Sequence, residues 1–176
     1  MKLREEHGFG LIELLIAMVV LNIGLLALVA TFQSSAFALR RASHVSTAAT
    51  LADTQMELYR GLTYSQIVLD STLLASVDNA YKCDSVLGSG CPNSTTAEQT
   101  ATCSPQTAAC TPSRVVTNYG DRYGYRVDTY ITLVTTPNGT GTGRVEKKVT
   151  VVVRDSTNLR RSLARATSTF DQTISA

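Results

Sequence analysis

The chain has 176 residues, 44% of them hydrophobic and 17% charged, with a formal net charge of +2. Once a distinct N-terminal stretch of about 60 residues is set aside, that length leaves room for one small globular domain. So weak a net charge excludes a strong field for drawing in nucleic acid or acidic substrates, and the doublets Arg40-Arg41, Lys147-Lys148 and Arg160-Arg161 read as solvated faces.

Residues 1–8, MKLREEHG, are polar and charged; from Phe9 the chain turns apolar, and residues 14–32 carry no charge. A run of about 20 apolar residues is what a helix needs to cross the hydrocarbon core, so a membrane span over about residues 11–32 is expected. A buried core helix of this composition does not suit so small a domain. An ordinary secretory signal has an apolar region of about 7–15 residues before a small-residue cleavage site; this run is longer, and Ala36-Phe37-Ala38 is a poor match to such a site. Basic residues flank the span on both sides, with Lys2 and Arg4 before it and Arg40-Arg41 after it, so the positive-inside rule alone is nearly a tie. The cysteines break the tie. Disulfides need an oxidising compartment, which puts the N-terminus in the cytoplasm and the C-terminal domain outside, in a single-pass protein whose span contacts lipid.

The helical pattern continues past the span. Val45, Ala48, Ala52, Met56 and Tyr59 recur at spacings of three and four, with Leu51, Gln55, Leu58 and Leu62 as a neighbouring row. Proline is absent from Phe9 to Arg60, and Gly61 is a stop signal. A helix of some 50 residues would be roughly 75 Å long. The organisation expected is a leader at 1–8, a long helix at 9–61 and a globular domain at 62–176. Residues 64–81 are ambiguous, with Ile67, Leu69, Leu73, Leu74 and Val77 fitting a short helix.

Cys83, Cys91, Cys103 and Cys110 all lie in a loop at 82–113 rich in Ser, Thr, Gly, Asn and Pro. Such a stretch builds little core from its own side chains, and an even cysteine count outside the cytoplasm points to disulfide staples. The spacings do not match the close cysteine pairs of zinc sites, and His7 and His44 lie far away in sequence, so no metal or other cofactor is expected. Three connectivities remain open; Cys83 with Cys91 and Cys103 with Cys110 close the shortest loops and are favoured.

Strand signals follow. Residues 123–133 alternate with period two, which reads as one buried and one wet face, and residues 145–153 repeat the pattern with Val149, Val151 and Val153. Between the two runs, TTPNGTGTGR reads as a long hairpin loop. Residues 160–170 form a weaker third strand. The apolar face of this meander needs a cover, and the helix stripe at 45–59 supplies it. The fold class is therefore α+β: a long N-terminal helix, transmembrane in its first half, packed on a small antiparallel β-sheet.

Glu13 stands inside the apolar run. An ionised carboxylate in a bilayer costs at least a few kcal/mol unless it lies near the interface or finds a partner, and its place near the start of the span leaves both readings open. The run Gly8-Phe9-Gly10-Leu11-Ile12-Glu13-Leu14-Leu15 resembles the start of a type IV prepilin. The resemblance covers roughly residues 1–40. It implies cleavage after Gly8 by prepilin peptidase, N-methylation of Phe9, and pairing of Glu13 with the terminal amine of a neighbouring subunit during assembly. A matched ion pair is tolerable to bury where either ion alone is costly. The partners implied are other pilin subunits, prepilin peptidase and the inner-membrane assembly platform, and the mature form would lie in a pilus or cell-surface filament.

Two departures stand out. Ala30 occupies the place where major pilins often carry a helix-breaking proline, and the cysteines lie mid-domain instead of closing the C-terminal region. Asn22-Ile23-Gly24-Leu25-Leu26-Ala27-Leu28 resembles minor pilins and type II secretion pseudopilins. A minor pilin acting in pilus assembly, adhesion or motility is therefore expected. The alternatives are a pseudopilin for secretion or DNA uptake, and a membrane-tethered binding domain that never assembles. No Ser-His-Asp set, phosphate loop or metal cluster is evident, so no enzymatic role and no catalytic residue is expected. Asn93-Ser94-Thr95 and Asn138-Gly139-Thr140 fit the glycosylation pattern only weakly, and Tyr119, Asp121 and Arg122 are a weak candidate ligand group in a strand region where tyrosines mostly pack.

Overall fold

The computed structural model describes residues 10–91, 96–117, 121, 123–136 and 144–172. Helix α1 runs from Leu11 to Arg60, and the chain divides into two compact units, Met1–Ala42 and Ser43–Ala176. In the first unit every described side chain is exposed. The apolar residues Leu11, Ile16, Val20, Leu26 and Phe32 are among those without cover, and the helix is long and apolar enough to cross a membrane. Three of its polar side chains turn inward on the helix itself. Asn22 Nδ2 donates to the Met18 carbonyl at 2.8 Å, Thr31 Oγ1 to Leu28 at 2.7 Å and Ser35 Oγ to Thr31 at 2.9 Å. Such local bonds hide polar atoms that lipid would not solvate.

In the second unit the helix residues Ala48, Leu51, Ala52, Gln55, Met56 and Tyr59 are buried. They belong to the row pattern read from the sequence, while Val45 and Leu58 keep 39% of their surface exposed. Arg60 ends the helix, and the Leu62 N–H bonds the Tyr59 carbonyl at 3.2 Å. Among the described glycines the left-handed conformation falls at Gly88 and Gly90 (φ 91° and 113°), not at Gly61. The ambiguous stretch at 64–81 resolves into a 3-10 turn at Tyr64–Gln66, β1 (Leu69–Asp70), α2 (Ser71–Ala75) and α3 (Asn79–Lys82), and the segment read as the cysteine loop holds a second 3-10 turn at Ser85–Leu87. Asp70, Asp78 and Asp84 each cap the element that follows.

Four antiparallel strands form the sheet in the order β3 (Ser113–Val116), β4 (Tyr125–Thr136), β5 (Arg144–Asp155) and β6 (Ser162–Asp171). A separate two-residue parallel pair joins β1 to β2 (Thr100–Ala101). The long hairpin and the third strand lie where the alternation put them, whereas β3 falls at the edge of the segment read as loop. The sheet carries α1 on one face: Tyr125, Val127, Ile131, Val149, Val151 and Val153 join Leu51, Met56 and Tyr59 in one core. Each large apolar side chain buried there contributes roughly 1.5–3 kcal/mol.

The opposite face corrects the expectation of a wet surface. Arg126, Asp128, Tyr130 and Thr132 are all buried, at 6% exposure or less. Tyr81 and Leu87 cover this side, packing on Tyr130 and Val152 of the sheet with help from Leu74, Val77 and Val86. The alternation itself is real, but its polar half meets a second layer of chain in place of water.

Candidate functional site

Glu13 lies in the first turn of α1. Its N–H bonds the Gly10 carbonyl at 3.0 Å, so the helix is already closing at this residue. A carboxylate in that turn faces the positive end of the helix dipole, a favourable placement of a few tenths to about 1 kcal/mol in water. Along residues 11–39 it is the only charged side chain. Gly8 and Phe9, the expected processing residues, lie outside the described residues.

The four cysteines form two pairs, Cys83 with Cys91 and Cys103 with Cys110. The second loop is tied to the core from several sides. Tyr59 Oη donates to the Ala109 carbonyl and Gln55 Nε2 to Ala108 at 2.9 Å, while Arg114 Nη2 donates to Gln55 Oε1 at 2.9 Å. Burial pushes the Tyr59 phenol up to about 12. The Asp70 N–H bonds the Cys110 carbonyl at 2.9 Å, and its carboxylate accepts from the N–H groups of Thr72, Leu73 and Cys103 and from the Thr72 hydroxyl. That hydroxyl first, then the backbone donors, holds the Asp70 carboxyl down at about 2.

The sequence reading missed a buried ion network on the face away from α1. Arg126 pairs with Asp78 and with Asp128, its Nε standing 2.7 Å from Asp128 Oδ1. Arg154 Nε lies 2.9 Å from Asp128 Oδ2, and the same guanidinium pairs with Asp84 and donates to the Leu159 carbonyl at 3.0 Å. Arg165 closes the chain on Asp84 at 3.0 Å. Desolvation works against charge on Arg126, yet its bonds to Asp78 and Asp128 raise its pKa overall. Desolvation likewise pushes Asp84 up, but the Val86 N–H with Arg165 and Arg154 leaves it lowered. A signal was present in Arg126-x-Asp128 on one strand face with Arg154 opposite; the partners Asp78 and Asp84 lie far away in sequence. Three acids share three arginines, so the network reads as a fastening of residues 78–84 to the sheet and offers no unpaired group for chemistry.

Asp121 accepts from the Tyr125 hydroxyl and from the Tyr123 N–H; Tyr119 and Arg122 lie outside the described residues, as do both glycosylation patterns. Among the described residues no cluster of His, Cys, Asp and Glu could hold a metal ion.

Residues 3–29 match the family described as the prokaryotic N-terminal methylation motif. No curated protein and no solved structure matches the chain. The N-terminal segment therefore carries the type IV pilin-like prepilin signal, on a chain whose long apolar helix and antiparallel sheet are consistent with a pilin-like fold. That signal points to a structural filament subunit of the pilin or pseudopilin kind, one that meets other pilin subunits and the prepilin peptidase and is anchored in the membrane.

Proposed function

We propose that this protein is a minor subunit of a type IV pilus or a related filament, cut after Gly8, methylated on Phe9 and held in register by Glu13. The observation that carries the reading is the lone carboxylate of Glu13 in the first turn of α1, inside the matched motif, on a stretch (residues 11–39) that is otherwise uncharged and exposed throughout. Cleavage after Gly8 leaves an amine on Phe9, four positions from Glu13. In a staggered bundle the Glu13 of one subunit meets that amine on a neighbour, and each ion enters the apolar core already paired. The helix stripe 14–32 supplies the filament core, the N-terminus starts on the cytoplasmic side, and the disulfide-stapled domain lies outside, built at an inner-membrane platform. The stretch Asn22–Leu28 and the continuous helix through Ala30 favour a minor subunit, and they suit a secretion pseudopilin as the second reading.

Intact mass of the protein from pili or membranes tests the processing. A chain beginning at Phe9 and carrying one methyl group is expected; a retained Met1 sinks the reading. Deleting the gene separates pilin from pseudopilin, since loss of surface pili with normal secretion favours the former.

A further inference from the structure

A missing donor in the sheet leaves two acceptors competing for one proton. The pairing of Ser113 with Asp128 puts Pro112 opposite Thr129, and the Thr129 N–H bonds the Pro112 carbonyl at 2.7 Å. In an antiparallel pair of this kind the two residues exchange both backbone bonds. Proline has no N–H, so the Thr129 carbonyl lacks its return bond. The Tyr81 hydroxyl takes that place, donating to the Thr129 oxygen at 2.6 Å. The same hydroxyl also lies within hydrogen-bond reach of Glu98 Oε1. Tyr81 has one proton for two acceptors. If it goes to the otherwise orphaned buried carbonyl, the Glu98 contact needs a proton of its own.

We propose that Glu98 is held as a neutral carboxylic acid that donates to the Tyr81 oxygen, forming a proton-operated latch that docks the segment around Glu98 and Gln99 onto the edge of β4. The geometry of that segment fits the role. The Gln99 N–H bonds the Ile131 carbonyl at 2.7 Å, Glu98 bridges Thr132, and the Leu69 N–H bonds the Gln99 carbonyl at 2.9 Å. Tyr81 is fixed in turn by stacking on Tyr130 with ring centroids 4.3 Å apart and by the Tyr130 hydroxyl bonding its carbonyl at 3.2 Å. The groups around the contact are these. Tyr81 from α3 touches Glu98; Asp128 and Tyr130 from β4 act on Tyr81, with Arg154 and Asp84 behind Tyr130. Among the described residues no cation pairs with Glu98. Burial, opposed by the Tyr81 bond, pushes its carboxyl up to about 7. Ionisation leaves two acceptors facing one hydroxyl proton, and the segment loosens.

The test uses the full chain in detergent micelles. Carbon-13 NMR of the Glu98 carboxyl should give a midpoint near 7; a midpoint at the ordinary value near 4.5 overturns the latch. Hydrogen exchange of the Gln99 amide, corrected for its intrinsic pH dependence, should lose protection on the order of a hundredfold between pH 4.5 and 8. Glu98→Gln, which keeps a neutral donor, should flatten that change, and an unaltered slope refutes the proposal. Pro112→Ala returns an N–H to Thr129 and frees the Tyr81 proton for Glu98, so the Glu98 midpoint should fall. A midpoint unmoved in this variant also counts against the latch.

Discussion

Arg126 and Arg154 stand directly opposite each other across β4 and β5, and the fully buried carboxylate of Asp128 bonds both guanidinium groups. Like charges in cross-strand register repel. Here the repulsion is offset because Asp128 sits two residues from Arg126 on the same face, while Asp78 and Asp84 take the outer ends of the two arginines. The Ser113 hydroxyl donates to Asp128 as well, at 2.6 Å, which ties the edge strand β3 into the same carboxylate.

Asp128→Asn should therefore be among the most damaging single changes in the domain. It removes the central anion and leaves two buried guanidinium groups facing each other. Breaking a buried pair from one side costs about 3–5 kcal/mol. Urea unfolding of the full chain in detergent should show a midpoint lowered accordingly. A loss below about 1 kcal/mol, the scale of an exposed pair, would mean that water reaches the network.

This network also marks where the sequence stopped being readable. Val149, Val151 and Val153 recur at every second position, and the row from Ala48 to Tyr59 keeps helical spacing, so helix, hairpin and their contact face were all legible. The other face was misread because alternation separates two sides without saying what lies beyond each. Arg126 and Asp128 look like solvent-facing residues until a chain segment some seventy positions from Arg154 folds over them with Asp84. β3 was hidden by its four-residue length, and β1 and β2 are too short to leave any periodic trace. At the N-terminus the reverse holds: the prepilin-type signal within residues 3–29 was legible because spacing within one short motif carries the information.

Acid should weaken the domain through Asp70. Its carboxyl is depressed from 3.8 to about 2 by the Thr72 hydroxyl and by backbone donors. A depressed carboxyl contributes stability that is present above the unfolded value and lost as pH falls through the folded one. The window is therefore pH 3.8 down to about 2. Asp78 and Asp84 are also lowered and add to the same limb. Glu98 works in the opposite direction, since a raised carboxyl loses its contribution as pH rises from 4.5 through about 7. Unfolding midpoints measured from pH 2 to 8 should show the two limbs, and Asp70→Asn should shrink the acid one alone.

Reduction should act most strongly through Cys103–Cys110. That loop carries the Ala108 and Ala109 carbonyls that accept from Gln55 and Tyr59 of α1. The seven-residue separation corresponds to about 2–3 kcal/mol of chain-entropy stabilisation. Replacing both cysteines by serine should lower stability by that amount and expose the Tyr59 phenol, whose titration would move down from about 12 toward 10. Non-reducing peptide mapping should recover the Cys83–Cys91 and Cys103–Cys110 peptides and no crossed pair.

Glu13 offers the sharpest test of the proposed assembly. If its carboxylate receives the terminal amine of a neighbouring subunit, Glu13→Gln leaves that amine unpaired in an apolar environment. A lone charge there costs about 3 kcal/mol, which corresponds to a loss of incorporation on the order of a hundredfold. Cleavage after Gly8 should continue, because the variant keeps the leader and the glycine. The expected result is thus a processed, methylated chain that stays in the membrane fraction and is depleted from sheared filaments. Glu13→Asp keeps the charge on a shorter arm and should recover part of the incorporation. Filaments that take up Glu13→Gln as readily as the unmodified chain would leave the carboxylate with no more than its place at the helix N-terminus, a few tenths to about 1 kcal/mol.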